Sequence, residues 1–402
     1  LIDPRRPLWL PALLACWLIL PGMPDGAHAQ TPSPITSSGL NTAVTKSGTV
    51  YDITGGTRPG NGSNLFHSFG EFGVPTNHVA NFLNDSGLAT SNILGRVTGG
   101  NPSNIFGTLQ TTGFGGANLF LMNPAGIVFG PNAALNVGGS VSFTTADYLR
   151  LTDGARFNAI AGLQDAAISS APVAAFGFLG SNPAAIAVQG SQIAVAEGRG
   201  ISLVGGNLTV QEGTLADTTI QPARLSAPGG PINLIAVASA GEVLTNAAAA
   251  PADPTLNGFT SLGTISLTQG ADVHTSAHTA GRIVIRSGQF TMENARLEAS
   301  ATATAPTSPP SASATGGISV QADNVALSHS SNVLTSAVDG TAGNITFEVS
   351  TLRSNVGADG IPLSGAAPVT IASTSTGQGG AGSISFAGKA GEPADAVLLS
   401  HT

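Results

Sequence analysis

The stretch that decides the fold runs from Ser91 to Thr145 and reads SNILGRVTGGNPSNIFGTLQTTGFGGANLFLMNPAGIVFGPNAALNVGGSVSFTT. It carries one charged residue, Arg96, and the next one follows only at Asp147. Short apolar runs at 118–122, 127–129 and 141–143 are separated by Gly, Pro and Asn. Such runs between turn-forming residues predict short β-strands closed by tight turns.

The turn chemistry is specific at Asn123-Pro124-Ala125-Gly126. Asn suits the first position of a type I turn, where its side chain can bond to the backbone two residues on. Pro fixes φ at the second position, and Gly suits the fourth. Asn101-Pro102-Ser103-Asn104 begins in the same way, so we expect two corners of this kind.

Three segments follow each other in an order that is specific to one family: NLFHSFGEFGVP (64–75), VTGGNPSNIFG (97–107) and ANLFLMNPAGIVFGPNAALNVGG (117–139). Together they resemble the filamentous haemagglutinin N-terminal domain, or two-partner secretion domain, over about residues 35–150. The family's signature turn is NPNGI, and here Ala125 replaces its second Asn. Because Ala tolerates type I geometry, we expect the turn to form.

The resemblance implies an exported passenger that is recognised by a cognate outer-membrane β-barrel transporter while the chain is still extended. It further implies a filamentous haemagglutinin-like surface adhesin, whose ligand is a carbohydrate or protein on a host cell or other surface. The positions that match the family's motifs, and that we select as candidate secretion-motif residues, are Asn101, Pro102, Asn123, Pro124, Gly126 and Ile127. Each of them also has a purely structural interpretation, as part of a turn needed for folding.

Residues 1–29 are interpreted as a signal peptide and not as part of the fold. Arg5 and Arg6 precede an apolar run, and Ala27-His28-Ala29 has the small-residue pattern of a cleavage site. The apolar run is shorter than the roughly 20 residues that span a bilayer. Export would proceed through the periplasm of a Gram-negative-type envelope. Cys16 is the only cysteine, so cleavage after Ala29 would leave a mature chain without disulfides.

Composition favours an all-β protein. The chain has 53 Gly and 25 Pro, 42% hydrophobic residues and only 9% charged residues, which argues against disorder. The formal net charge of −8 and the lack of a basic patch argue against nucleic-acid binding. No cofactor-binding motif is present, and none is predicted.

The second half repeats apolar pairs at strand spacing. Ile186 and Val188 are followed by Ile193 and Val195, and the pattern recurs at 201–215, 283–297 and 318–333. A pair at i and i+2 places two side chains on one face of a short strand. Strands that can bury this face only by stacking on neighbours predict a β-solenoid, here a right-handed parallel β-helix with an N-terminal cap.

The predicted organisation has four parts. The signal peptide (1–29) and a Pro/Ser/Thr-rich linker (30–40) precede a two-partner secretion domain at 41–180, which forms the cap and first coils. Solenoid coils follow at 181–402, with loop insertions near 302–315 and 357–367. Gly-Gly or Ala-Gly before several coils, as at Gly316-Gly317 and Ala381-Gly382, is interpreted as a corner that needs permissive φ.

A secreted β-helix polysaccharide lyase or hydrolase is the alternative. Such an enzyme needs carboxylates clustered with Lys or Arg in one groove. The acids of the second half are isolated in sequence, with few bases near them: Asp217, Glu242, Asp253, Asp272, Glu293, Glu298, Asp323 and Asp339. His274 and His278 lie on strand-and-turn sequence, where their spacing does not converge on a metal. We therefore predict a non-enzymatic protein without a metal site.

Overall fold

The computed structural model describes residues 34–246, 248–302, 316–377, 379–389 and 393–400, except for the side chains of residues 163 and 164. These residues form 34 β-strands and two short 3₁₀ helices, Pro59–Asn61 and Leu163–Ala167. The predicted signal peptide and all but residue 302 of the predicted 302–315 insertion lie outside the described residues. Among the described residues, no helix has the length and apolar character needed to span a bilayer.

Most strands belong to a parallel β-helix with three faces. Face 1 contains β3 (Asn64–Phe69), β5 (Asn92–Val97), β8 (Asn118–Met122), β11 (Val141–Thr144), β17 (Ile201–Gly205), β22 (Ile232–Ala236), the first halves of β27 (Ile283–Glu293), β29 (Ile318–Ser328) and β31 (Ile345–Ser354), and β33 (Ile384–Ala387). Face 2 contains β6 (Ser103–Ile105), β9 (Ile127–Phe129), β15 (Ile186–Gln189), β18 (Leu208–Gln211), β25 (Thr264–Thr268), the second halves of β27, β29 and β31, and β34 (Ala396–Leu399).

Face 3 is built from two sheets, one after the other. The first consists of β1 (Thr42–Ser47), β2 (Val50–Gly55), β4 (Val79–Leu83), β7 (Thr108–Thr112) and β10 (Ala134–Asn136). The second consists of β16 (Gln192–Ala194), β21 (Arg224–Ser226), β26 (Asp272–His274), β28 (Arg296–Ala301), β30 (Asn332–Ala337) and β32 (Thr370–Ser375). A small hairpin, β19 (Gly213–Thr214) with β20 (Ile220–Gln221), projects after β18.

The strands stack in register, so that like residues lie above one another. Ile283 is aligned with Ile318 and then Ile345, and all three are fully buried in the interior core. The apolar pairs identified in the sequence lie in strands and point into this core, as with Ile186 and Val188 in β15. The fold is therefore the predicted parallel β-helix, held together by burial between coils.

An outer antiparallel sheet, which the sequence analysis did not predict, covers part of face 1. It consists of β12 (Tyr148–Leu151), β13 (Arg156–Asn158), β14 (Val173–Phe178), β23 (Gly241–Leu244) and β24 (Thr255–Asn257). Outward side chains of face 1, including Phe66 and Phe120, pack under it in a second hydrophobic core. The early face 1 strands are thus buried on both sides. Pairs such as β14 with β23 and β9 with β15 join strands on the two sides of residue 180, where the sequence analysis placed the boundary between the secretion domain and the solenoid coils.

Glycines recur where face 3 turns into face 1, but for a different reason from the predicted one. A Cβ on Gly281, Gly316 or Gly382 would lie 1.9, 1.8 or 2.2 Å from a backbone oxygen of the adjacent coil, on Gly230, Gly281 and Gly343 respectively. None of these three glycines has φ in the left-handed range. Glycine is required here because neighbouring backbones touch, and the permissive-φ explanation is wrong.

The N-terminal cap consists of the β1–β2 hairpin and the aromatic cluster beneath it. β1 runs antiparallel to β2, which continues into the parallel sheet through β4. Phe69 packs against Phe72 and Phe82, with ring centroids 4.9 and 6.1 Å apart. Phe66, in contrast, faces the second core under the outer sheet.

His67 lies inside this cap, where it is only partly satisfied. Its Nδ1 is 3.3 Å from Thr42 Oγ1, while its Nε2 has no hydrogen-bond partner among the described residues. Burial, reinforced by the positive charge of Arg58, lowers the pKa of the imidazole from 6.5 to about 3. His67 is therefore neutral in the folded protein at neutral pH.

We expect His67 to make the fold sensitive to acid. Between pH 6.5 and about 3 the unfolded chain binds a proton that folded His67 does not bind. Stability is therefore lost as the pH falls through this window, by about 2–3 kcal/mol at pH 4.5 relative to pH 7. Urea unfolding at a series of pH values measures this. His67→Gln should reduce the slope of unfolding free energy against pH. The control, His78→Gln, changes a histidine elsewhere in the cap and should keep the slope of the parent. Equal slopes for the parent and both variants would contradict the assignment to His67.

Candidate functional site

The predicted corner at Asn123–Gly126 joins β8 to β9 and forms a closed turn. The Gly126 N–H donates to the Asn123 carbonyl oxygen at 3.0 Å, as a four-residue β-turn requires. The Ala125 N–H donates to Asn123 Oδ1 at 2.9 Å, which is the predicted bond to the backbone two residues on. Ala125 has no positive φ, which excludes a type II turn. The turn thus forms with Ala125 in place of the family's Asn.

The Asn123 side chain also ties this corner to the preceding coil. It is fully buried, and its Nδ2 donates to the Asn101 carbonyl oxygen at 3.1 Å and to Ser103 Oγ at 2.9 Å. Both amide atoms are therefore used, one within the turn and one between coils. Since unpaired buried amides are costly, only a side chain with both a donor and an acceptor satisfies this position.

The first Asn-Pro pair has a different geometry from the predicted one. The chain enters β6 at Ser103, so residues 101–104 do not form a second turn of the Asn123 type. Asn101 and Pro102 are exposed, and Asn101 Nδ2 donates to Glu71 Oε1 at 2.9 Å. The two pairs lie in neighbouring coils and are linked through Asn123.

The remaining candidate residues support the corner from within. Gly126 has φ +116°, and a Cβ there would lie 3.2 Å from the Ala185 carbonyl oxygen, so a side chain would be strained. Its own carbonyl oxygen accepts from the Ser103 N–H at 2.9 Å. Ile127 is fully buried in the interior core and donates its N–H to Ala185 at 3.2 Å. Pro124 is half-buried.

A third Asn-Pro pair, Asn182-Pro183, joins this arrangement and was missed in the sequence analysis. Ile186 of β15 is aligned with Ile127 of β9, which places Asn182 level with Asn123 in the next coil. Asn182 is exposed with φ +61°, so it does not reproduce the Asn123 turn. Pro124 and Pro183 both line a cavity of about 160 Å³. The shared pattern NPAGI and NPAAI was the available signal for this pair of coils, whereas NPSNI is offset by two residues, since Ser103 and not Ile105 is aligned with Ile127.

Comparison with known proteins identifies the family. The sequence matches the family described as TPS secretion domain over residues 30–292. The chain belongs to the TPS secretion domain family. The match includes all six candidate residues and extends well beyond the 35–150 resemblance. TPS secretion domains engage a cognate outer-membrane transporter, and membership makes this chain an exported protein that reaches the cell surface or the medium.

Two solved TPS secretion domains are similar to this chain. The HMW1 secretion domain from Haemophilus influenzae is 16% identical, with a TM-score of 0.46, and the match covers 91% of this chain and 99% of that one. A filamentous hemagglutinin secretion domain is 14% identical, with a TM-score of 0.38, and the match covers 92% of this chain and 100% of that one. No curated protein matches the sequence.

Within this TPS secretion domain, Arg96 is one of the largest fully buried side chains among the described residues, and the others are phenylalanines. It lies on the outer side of face 1 and makes a bidentate ion pair with Asp165, at 2.6 Å for both contacts. It also donates to Ser68 Oγ and to the Asn158 carbonyl oxygen, at 2.9 and 3.0 Å. The signal for this ion pair in the sequence was a lone arginine in an otherwise uncharged stretch, since a charge buried there requires a partner.

Five of the eight acids that look isolated in the second half are paired with Arg or Lys in the structure, which corrects that part of the sequence interpretation. Glu242 accepts from Arg150 and Tyr148, and Asp253 lies 3.2 Å from Arg286. Asp272, Glu298 and Asp323 likewise pair with bases on other strands or nearby: Arg224, Arg296 and Lys389. Sequence spacing does not show most of these partners because they lie on distant segments, as with Arg150 and Glu242, which are 92 residues apart.

His274 belongs to such a polar cluster on face 3. Its Nε2 is 2.9 Å from Ser226 Oγ, and its Nδ1 is 3.3 Å from Asp272 Oδ2. His278 is exposed in the following turn. No group of three possible metal ligands is found among the described residues.

Proposed function

We propose that this chain is a two-partner secretion passenger whose TPS secretion domain is recognised by a dedicated outer-membrane β-barrel transporter. The observation that carries the proposal is the family match over residues 30–292. Expression of the tagged protein with and without a candidate transporter tests it. Transporter-dependent appearance outside the cell supports the proposal, and retention in the periplasm with every candidate transporter argues against it.

We further propose that the Asn-Pro corners are part of the recognised signal. Their exposure suggests two modes of recognition. Asn101 and Pro102 are exposed and accessible in the folded domain, whereas Asn123, Gly126 and Ile127 are buried. A transporter can contact the buried residues only while the chain is extended. Recognition before folding therefore uses the whole set, and recognition after folding uses only its exposed members.

Asn123→Ala is expected to reduce secretion more than its effect on stability explains. It removes three hydrogen bonds and should cost about 1–3 kcal/mol. The matched control is Asn118→Ala, outside the corners, where Asn118 donates to Asn92 and accepts from Ser140. Urea unfolding and the secreted fraction should be measured for both variants. Equal stability with lower secretion for Asn123→Ala supports recognition; equal secretion would mean that the corner serves folding alone.

The exported product is proposed to be a surface adhesin without enzymatic activity. What supports this is the family, which is defined by secretion of adhesin-type passengers and not by a reaction. The stacked coils also present long rows of polar side chains to the outside. One such row on face 3 links Asp52, Asn81, Gln110 and Asn136 through side-chain hydrogen bonds. Binding of the purified protein to cells tests the adhesin role.

A further inference from the structure

A cavity of about 490 Å³ opens on face 1 at the place where the outer sheet ends. It lies between the segment that follows β24 and the outward side of β27 and β29. Its volume is in the range of small-molecule sites. The residues that give it chemical character are Asp253, Phe259, Arg286, Gln321, Asp323 and Lys389.

Two ion pairs line the cavity, and their charges cancel. Arg286 Nη2 lies 3.2 Å from Asp253 Oδ1, and Lys389 Nζ pairs with Asp323 Oδ1. Each pair places a hydrogen-bond donor beside an acceptor. A charged ligand would find no unpaired opposite charge among these four groups, so its own charge would lack a partner in a partly desolvated site. The cavity is therefore suited to a neutral ligand with adjacent hydroxyl groups.

The ion pairs are held in place but remain accessible. The Arg286 side chain is only 11% exposed, and its Nη1 donates to Ser319 Oγ at 3.1 Å and to the Ile285 carbonyl oxygen at 3.0 Å. The Asp253 and Asp323 side chains are 59% and 50% exposed, and although Asp253 Oδ2 also lies 3.9 Å from Arg282 Nη1, both carboxylates keep solvent-facing lone pairs that can accept from a ligand. A fixed donor beside open acceptors is a preorganised arrangement, which reduces the ordering cost of binding.

The cavity also has an apolar wall. Phe259 and Leu256 line it and pack against the second hydrophobic core. A pyranose has hydroxyls around its edge and C–H groups on its faces, so it can bond to the ion pairs while it covers an aromatic ring. Gln321, in the coil above Arg286, adds a further amide donor and acceptor.

We propose that this cavity binds neutral pyranose oligosaccharides. This inference rests on the adhesin half of the proposed function, to which it assigns a ligand class. Asp253, Phe259 and Arg286 lie within the family-matched region, whereas Gln321, Asp323 and Lys389 lie beyond it. The site is thus completed by coils downstream of the matched secretion domain.

The test uses the purified chain and defined sugars. Cellotriose, maltotriose and mannotriose are the neutral probes, trigalacturonate is the charged comparator, and calorimetry with saturation-transfer NMR measures binding. At least one neutral probe is expected to bind with a Kd of about 1 mM, and trigalacturonate more weakly. Asp323→Asn and Asp253→Asn should each weaken binding about tenfold, because a hydrogen bond to a charged group is lost.

Glu197→Gln, an exposed acid that does not line the cavity, should leave binding unchanged. Phe259→Leu, which keeps an apolar side chain for the core, should weaken binding by loss of the aromatic face. The inference is overturned if no neutral probe binds, if trigalacturonate binds more tightly, or if both aspartate variants bind like the parent. Because the assay uses purified protein, failure of transporter-dependent secretion does not affect it. Cell adhesion that is insensitive to Asp323→Asn would overturn this site and leave the adhesin role intact.

Discussion

Replacement of Arg96 by methionine is expected to lower the free energy of unfolding by about 3 kcal/mol, the cost of leaving a buried ion pair with one partner. Methionine keeps an unbranched apolar stem but removes all contacts to Asp165, Ser68 and Asn158. It also removes the guanidinium that lies 5.1 Å from the Phe157 ring centroid. Asp165 remains 24% exposed, so water partly compensates it, and we expect the lower end of the usual range.

Equilibrium urea unfolding measures this loss. The matched control is Arg296→Met, since the Arg296 side chain is 47% exposed in its pair with Glu298. Exposed pairs contribute about 0–1 kcal/mol, so the control should lose little stability. Adding Asp165→Asn to Arg96→Met should restore part of the loss, because the unpaired charge is removed. Equal losses of unfolding free energy for Arg96→Met and Arg296→Met would show that the buried ion pair contributes no more to stability than the exposed one.

Gly281→Ala is expected to destabilise the protein by about 3 kcal/mol or more, although it adds a single methyl group. The new Cβ would lie 1.9 Å from the Gly230 carbonyl oxygen, and it would be attached directly to the Cα of the stacked backbone. Neither the Gly281 backbone nor the Gly230 backbone can move away without increasing the distance between the two coils. Gly316 is positioned in the same way on Gly281, so the displacement would pass to the next coil.

Gly162→Ala is the matched control, since no atom lies within 4 Å of its added Cβ and its φ is −176°. Its stability should stay within about 0.5 kcal/mol of the parent. Thermal unfolding of both variants distinguishes backbone contact from the loss of glycine flexibility. If both variants unfold like the parent protein, the coils do not stack as closely as described.

Sequence reasoning succeeded where one face of a strand is buried. In β29, alternate residues are buried from Ile318 to Ala322 and again at Val325 and Leu327, with a break at 323–324 where the strand passes from face 1 to face 2, and the other residues are half-exposed or exposed. Pairs such as Ile318 and Val320 therefore carry a clear period of two, which indicates both strand and face. The corner at Asn123 was predictable because its residues favour one turn regardless of what surrounds them.

Sequence reasoning failed where the partner of a residue lies on a distant segment of the chain. Asn118–Met122 is an almost continuous apolar run, and all of it except Asn118 is buried. Such a run is typical of a strand covered on both faces, so an outer layer was indicated but its identity was not. The pairing of Glu242 with Arg150 joins residues 92 positions apart, and no local pattern reports it. The cavity was missed for the same reason, since Asp253 and Asp323 are far apart in sequence.

The outer sheet sets the order in which the first coils can mature. Contacts between the first coils of the β-helix close short loops, such as the 20 residues between Ser103 and Asn123, whereas the next coil closes longer ones, such as the 60 residues between Ser140 and Gly200. The outer sheet also closes long loops, including the 94 residues between Tyr148 and Glu242. Because long loops close more slowly, we expect the first inner coils to form before the complete outer sheet covers Phe66 and Phe120. In a chain that emerges with its N-terminus first, the outward apolar side chains of face 1 would therefore be exposed for a time. Aggregation would compete with folding until the outer sheet is complete up to β24.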